Sequence, residues 1–391
     1  SVIKNSSDVN QRELIFMSER TKWEMPTVVR ASFVFGLIYT FLVGVSSLES
    51  GIKVMGADTQ ESLFSSVSNP VAGLFIGILG TVLVQSSSAS TSVIVGLVGT
   101  GALGVGDAVP MVMGANIGTT VTNTLVALAH MRQSEEFKRA FAAATVHDFF
   151  NLMAVGILLP VELATGVLST LAENISSRLV GSAGSEWKSP IKKWVKEPVG
   201  WLKDLGDAIG AAGNVLGTFL VIVGLVIILL SLAYITKNMR QLVADRIEAS
   251  LNRVLGTGAG MVAMVLGLLI TISVQSSSIT TSIMIPLAAA GVVTLRNIYP
   301  VTLGANVGTT ITALLAALAA SRPEALTVGI VHTLFNLGGI ALLYPIPAVR
   351  YIPVRAAENL ARIAVQRRVI AIAYVVTAFI VIPLLGVAIL R

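Results

Sequence analysis

The 391-residue chain has no cysteine and three histidines. The first absence excludes disulfides, thiolate metal sites and cysteine nucleophiles, and His130, His147 and His332 leave little for an imidazole-bound metal. Charge is also scarce. Asp, Glu, Lys and Arg make up 12% of the residues, about half the share in an ordinary soluble domain. No Gly-x-Ser-x-Gly elbow occurs, so the serine-rich stretches lack the usual frame of a hydrolase nucleophile. The balance of 27 basic against 21 acidic residues gives +6. Those basic residues sit in short loops between apolar runs, the pattern of the positive-inside rule rather than of a nucleic-acid surface.

What the chain has in quantity is apolar sequence, 54% of the residues, with a mean hydropathy of +0.82. Apolar runs fall at 28–48, 71–84, 88–104, 108–130, 137–163, 214–236, 259–274, 278–291, 298–320, 324–346 and 369–390. Most approach the ~20 residues that a helix needs to cross a bilayer. An all-α, polytopic membrane protein is expected. Runs 71–84 and 259–274, each with the run that follows, are too short to cross and read as re-entrant hairpins. The stretch from Ser1 to Pro26 shows no cleavable signal pattern.

The expected organisation is a polar segment at 1–27, a first membrane repeat at 28–171, a polar linker at 172–213, a second repeat at 214–346, and an interfacial plus final spanning helix at 347–391. In the linker Trp187, Trp194 and Trp201 recur at heptad spacing. A ligand platform is one reading of that stripe; an amphipathic helix at the membrane interface is the reading adopted. Mixed stretches at 51–67, 237–256 and 350–368 suggest further interfacial helices.

Internal repetition carries most information. Gln85-Ser86-Ser87-Ser88 recurs as Gln275-Ser276-Ser277-Ser278, and Gly114-Ala115-Asn116-Ile117-Gly118-Thr119-Thr120 as Gly304-Ala305-Asn306-Val307-Gly308-Thr309-Thr310, both displaced by 190 residues. A third pair, Val146-His147-Asp148-Phe149-Phe150-Asn151 and Val331-His332-Thr333-Leu334-Phe335-Asn336, is displaced by 185. Three crossings per half would invert the second half. With the N-terminus inside, Arg132, Lys138, Arg139, Lys237, Arg240, Arg246, Arg253, Arg350, Arg355, Arg362, Arg367 and Arg368 all fall inside. Inverted repeats with broken helices near the bilayer midplane are an architecture of secondary transporters.

Between residues 70 and 130 the one charged side chain is Asp107, and between 259 and 320 it is Arg296. The polar content there is Ser, Thr, Gln and Asn, which must face protein, water or a ligand in a membrane. Where the first hairpin helix gives way to the second, at Ser86 to Ser88, unpaired backbone N–H groups and serine hydroxyls make an anion site. The neutral oxygens of Gln85, Gln275, Asn116, Asn306 and the threonines suit a hard cation such as sodium. Small hydroxylated residues also promote close helix packing, a reading compatible with the other. His147 and His332 read as buried hydrogen-bonding groups or as a proton relay. Asp148 is an intramembrane carboxylate and therefore a functional candidate.

Taken together, the duplicated Gln-Ser-Ser-Ser motif, the Gly-Ala-Asn-x-Gly-Thr-Thr and Val-His segments, and Asn69-Pro70-Val71-Ala72-Gly73 resemble the type II sodium/phosphate cotransporter family. The likeness covers roughly residues 65–160 and 255–345. It implies a plasma-membrane symporter, not an enzyme, that carries inorganic phosphate inward with sodium, without a cofactor. Phosphate ligands are then expected at Gln85, Ser86, Ser87, Ser276, Ser277, Asn116 and Asn306. Sodium ligands are expected among Gln275, Ser278, Asn306, Thr309, Thr310, Ser88, Thr119, Thr120 and Asp148. At the position of Asp148 the family pairs an aspartate with electrogenic transport and a glycine with electroneutral transport. Animal relatives carry disulfides and glycans in a longer central loop. Here there is no cysteine, and the sequons at Asn5 and Asn174 are weak, so a bacterial member is expected, with short termini and the inner membrane as its location. An ion channel, a carrier of another oxyanion, and an intramembrane serine hydrolase using Ser86 or Ser276 with His147 are the competing readings.

Overall fold

The computed structural model describes residues 25–56, 69–180, 191–255 and 260–390, and among them there is helix and no strand. In chain order the elements begin with α1 (Thr27–Met55), a short pair α2 (Pro70–Val84) and α3 (Ser87–Thr100), then α4 (Val105–Gly118), α5 (Val121–Leu128) and α6 (Ser134–Thr165). Next come α7 (Val167–Val180), α8 (Lys192–Ala208) and α9 (Asn214–Leu255). A second short pair, α10 (Gly260–Val274) and α11 (Ser277–Ala289), precedes α12 (Leu295–Ala319), α13 (Glu324–Leu343), the single turn α14 (Pro347–Arg350) and α15 (Ile352–Gln366). The last apolar stretch is α16 (Val369–Val376), a π turn over Thr377–Val381, and α17 (Ile382–Leu390).

Six of these stretches are long and apolar enough to cross a membrane: α1, α6, Asn214–Leu242 of α9, α12, α13 and Val369–Leu390. The chain is thus a multi-pass membrane protein. In α6 and α12 72% of the apolar window is buried, against 33% in α1 and α9 and 22% in the last stretch. That contrast puts α6 and α12 at the centre, with α13 at 56% beside them, and α1, α9 and the last stretch at the periphery.

The structure corrects several expectations. The crossing expected at 108–130 is two helices, because Thr119 and Thr120 form a tightened turn in which Thr120 N–H bonds back three residues to Ile117 O at 3.3 Å. Its counterpart α12 runs through the same Gly-Thr-Thr motif unbroken. Of the interfacial helix expected at 51–67 the described part, residues 51–55, completes α1, and the one expected at 237–256 is no separate helix, because α9 continues to Leu255. Stretch 350–368 does form a helix with two faces. In α15 Pro353, Val354, Ala357, Ala361 and Ala364 are buried while Arg355, Glu358 and Arg362 are exposed. The expected boundary at 171/172 falls inside α7, whose first N–H groups, Leu168 and Ser169, donate to the Glu162 carboxylate at 2.6 and 3.1 Å. In the linker Trp194 and Trp201 share an outward face of α8, each 68% exposed. Trp187, the polar start at 1–24, residues 57–67 and the sequon at Asn5 lie outside the described residues.

Glycines set the closest approaches. A Cβ at Gly114 would collide with the Leu74 carbonyl of α2, and one at Gly304 with the Met264 carbonyl of α10. The packing role expected for the repeated Gly-Ala-Asn segment is therefore real: it seats each short helix against α4 or α12.

Candidate functional site

Each short pair turns at its Gln-Ser junction by the same device. Asn69 caps α2, its Oδ1 accepting from Val71 N and Ala72 N at 2.9 and 3.4 Å, with Pro70 preset for the first turn. The helix ends where Gln85 takes a left-handed conformation, φ +55°. Ser86 then caps α3 by accepting from Ala89 N at 3.2 Å. In the second half Gln275 has φ +57°, and Ser276 accepts from Ile279 N at 3.3 Å. These two glutamines are the only non-glycine residues with positive φ among the described residues. Left-handed backbone costs an L-residue about 1–2 kcal/mol. Two matching instances at the tips of two matching pairs make the tips candidates for function.

Both glutamine side chains hold their tips in place. Gln85 Nε2 donates to Val82 O at 2.5 Å while its Oε1 accepts from the Thr122 hydroxyl at 3.1 Å. Gln275 Nε2 donates to Ile272 O at 2.7 Å, and its Oε1 accepts from Thr312 at 2.9 Å. Thr122 and Thr312 were not expected in the site. The signal was present, since they are the matched threonines two residues beyond each Gly-Thr-Thr.

The tips meet at one cavity of about 510 Å³, lined by Gln85, Ser86, Ser87, Ser88 and Thr122 from the first half and Gln275, Ser276, Ser277 and Ser278 from the second. Leu229, Leu232, Ala233 and Thr236 of α9 close one wall, and among the described residues no charged side chain lines it. At each tip the serine cap and its carbonyl take the third and fourth N–H groups of the new helix. The N–H groups of Ser87, Ser88, Ser277 and Ser278 have no hydrogen-bond partner among the described residues. Four backbone donors, the serine hydroxyls and two positive helix ends thus converge on an uncharged space, which suits an anion.

The remaining expected residues lie outside that lining. Asn116 and Asn306 are buried in a network that crosses between the halves: His332 Nε2 bonds Asn116 Oδ1 at 3.0 Å, and His147 Nε2 bonds Asn306 Oδ1. Asn116 Nδ2 donates to Asn336 Oδ1 at 2.9 Å, and Asn306 Nδ2 to Asn151 Oδ1 at 2.7 Å. His147 therefore engages Asn306 and makes no hydrogen bond to a serine among the described residues, unlike the base of a serine hydrolase. Thr119 and Thr120 donate to carbonyls of the preceding α4 at 2.9 and 2.8 Å, and Thr309 and Thr310 to carbonyls of α12 at 3.1 and 2.8 Å. Their oxygens keep lone pairs.

Asp148 is 1% exposed. Its Oδ2 accepts from the Tyr374 hydroxyl at 2.8 Å, its Oδ1 makes no hydrogen bond among the described residues, and the Thr120 side chain lies beside the carboxylate. No cationic side chain pairs with it among the described residues. Tyr374, 226 residues away, was not foreseen. A further unforeseen link joins the halves: Asn123 Nδ2 donates to Thr281 Oγ1 at 2.7 Å, and Asn123 Oδ1 accepts from Ser282 at 3.0 Å.

This arrangement, a multi-pass helical protein with two duplicated tips around an uncharged polar cavity, is that of a carrier for a small polar solute. Comparison with known proteins is specific. The Na+/Pi-cotransporter family model matches residues 40–180 and 227–345. Over 427 residues the chain is 34% identical to sodium-dependent phosphate transport protein 2A of Rattus norvegicus, covering 91% of this chain and 67% of the relative. It is 33% identical to the 2A protein of Ovis aries, over 91% and 67% of the two chains. Identity to the human 2B protein is 32%, over 91% of this chain and 64% of that protein. No solved structure matches. The chain belongs to the Na+/Pi-cotransporter family, a family of transporters and not of enzymes.

Proposed function

We propose that this protein is a plasma-membrane symporter that imports inorganic phosphate coupled to sodium, by alternating access between two inverted repeats. The observation that carries the reading is the cavity itself: both Gln-Ser-Ser-Ser tips line it, with four free N–H groups and no charged side chain. The short pairs α2–α3 and α10–α11 act as re-entrant hairpins whose tips meet within the membrane. Matched order of motifs supports the repeat, and with three crossings in each half the second repeat is inverted and the loops after 130, 236 and 346 carry their basic residues on one side.

Phosphate sits on Ser86, Ser87, Ser276 and Ser277. Bringing a divalent anion into this space without an arginine or lysine requires compensating charge, and sodium supplies it. Neutral oxygens of Gln275, Ser278, Thr309 and Thr310, with Ser88, Thr119 and Thr120 in the first half, are the sodium ligands of this reading. Asn116 and Asn306, held by the histidines, position the Gly-Thr-Thr segments beside them. A carrier loaded with only one of the two ions holds uncompensated charge, so it rearranges only when empty or fully loaded. Asp148, with one oxygen unpartnered and no cation beside it, takes a further sodium and makes transport electrogenic.

The test is phosphate uptake into proteoliposomes with a sodium gradient imposed or withheld. Uptake that follows the gradient is expected; uptake indifferent to sodium rejects the reading, and currents far beyond carrier turnover would make the protein a channel.

A further inference from the structure

A second cavity, of about 630 Å³, lies between the start of α6, the turn joining α11 to α12, and α15. It shares no lining residue with the serine cavity. Lys138, Arg139 and Arg362 line it, against one carboxylate, Glu358. No ion pair joins Glu358 to any of the three among the described residues. The cations are arranged around the space rather than neutralised by the acid.

Two of them are held in place. Arg139 donates from Nε and Nη2 to Ala289 O at 2.9 and 2.6 Å, at the C-terminal end of α11. Its guanidinium lies against Gly291, where the chain has φ +75° and an added Cβ would stand 3.7 Å from the Arg139 Cζ. Arg362 donates to Asn359 Oδ1 at 3.1 Å, and the Lys138 ammonium has no hydrogen-bond partner among the described residues. The neighbourhood is also apolar: Val292, beside the lining Gly291 and Val293, is 63% exposed, and Ile363, next to Arg362, is 45% exposed. A basic recess with exposed aliphatic side chains beside it matches a molecule that has an anionic phosphate and hydrocarbon next to it. Basic pockets between membrane helices bind lipid headgroups in this way.

We propose that this cavity is a phosphate-anion site, occupied by the headgroup of an anionic phospholipid or by free orthophosphate, and separate from the transport cavity. Because Arg139 also holds the end of α11, the helix that starts at Ser277, the bound anion is tied to one of the two hairpins.

The full chain, purified in detergent, is incubated with phosphatidylglycerol, or with phosphatidylcholine of the same acyl chains, and its retained lipid is measured by native mass spectrometry. A parallel arm measures radiolabelled orthophosphate binding without sodium. Phosphatidylglycerol is expected to be retained over phosphatidylcholine. The double variant Lys138→Gln/Arg362→Gln should lower that retention roughly 25-fold, about fivefold for each cation removed. Lys237→Gln/Arg240→Gln, which removes equal charge outside the cavity, should leave it unchanged. Sodium-independent orthophosphate binding lost in the first variant alone, with lipid unaffected, assigns the same cavity to free phosphate. Both side chains are exposed, and an unchanged melting temperature verifies that the variants fold. Equal lipid retention and equal phosphate binding in both double variants would overturn the proposal.

Discussion

Thr312 donates its hydroxyl to Oε1 of Gln275 at 2.9 Å. Thr122 makes the same bond to Gln85 in the other half. Each bond fixes a glutamine in a backbone conformation that it disfavours, and so fixes the direction of the serine donors that follow. Thr312→Val is isosteric and removes only the donor. It should raise the phosphate concentration for half-maximal uptake about three- to tenfold, the worth of one hydrogen bond, with little change in melting temperature. Thr122→Val should act in the same direction, and an unaltered half-maximal concentration in both variants would show that the tips hold their shape without these threonines.

The serine tips should carry phosphate affinity. Replacing Ser86 and Ser87 together by Ala, or Ser276 and Ser277 together, removes hydroxyl donors to a charged ligand. Each such donor is worth about 1.5–3 kcal/mol, so each pair should weaken phosphate binding by about a hundredfold or more while the fold persists. Equilibrium phosphate titrations in saturating sodium check this, and affinities equal to the parent's would move the substrate elsewhere.

How much of this was legible in the sequence depends on the range of the interaction. The tips were, because capping and helix breaks are local and because Gln-Ser-Ser-Ser occurs twice at one displacement. The division of 108–130 was not: Gly118-Thr119-Thr120 and Gly308-Thr309-Thr310 have the same residues and the same back-bonded threonine hydroxyls, yet one interrupts a helix and the other does not. The surroundings differ instead, since Asn123 bonds to Thr281 and Ser282 whereas its counterpart Ala313 has no side-chain donor. Tyr374 was hidden for a similar reason. Nothing near it in sequence marks it as a partner for Asp148.

Asn306 joins His147 to Asn151 at the centre of the molecule. Asn306→Ala leaves the His147 ring nitrogen and the Asn151 amide oxygen buried without partners, at about 1–3 kcal/mol each. The expected result is a clear fall in melting temperature, partly offset when His147 is replaced by Leu in the same chain. An Asn306→Ala protein as heat-stable as the parent would mean that the network does not hold the halves together.

Asp148 should set the electrical character of transport. Asp148→Gly is expected to keep sodium-driven phosphate uptake while losing its dependence on membrane potential and one sodium from the cycle. Tyr374→Phe, which strips the carboxylate of its phenolic donor, should keep voltage dependence but change the sodium concentration for half-maximal uptake. Uptake is measured with the potential clamped at several values by potassium and valinomycin. A voltage dependence in Asp148→Gly equal to the parent's would remove the aspartate from this role.

The central claim is that an uncharged cavity holds phosphate only because sodium is bound with it. It is tested most directly by calorimetric titration of the purified protein with phosphate, once in sodium chloride and once in choline chloride at equal ionic strength. The account predicts a saturable, sodium-dependent component of phosphate binding that is lost in the variant lacking Ser86, Ser87, Ser276 and Ser277 hydroxyls and is absent in choline. Phosphate binding of equal affinity in both salts would contradict it.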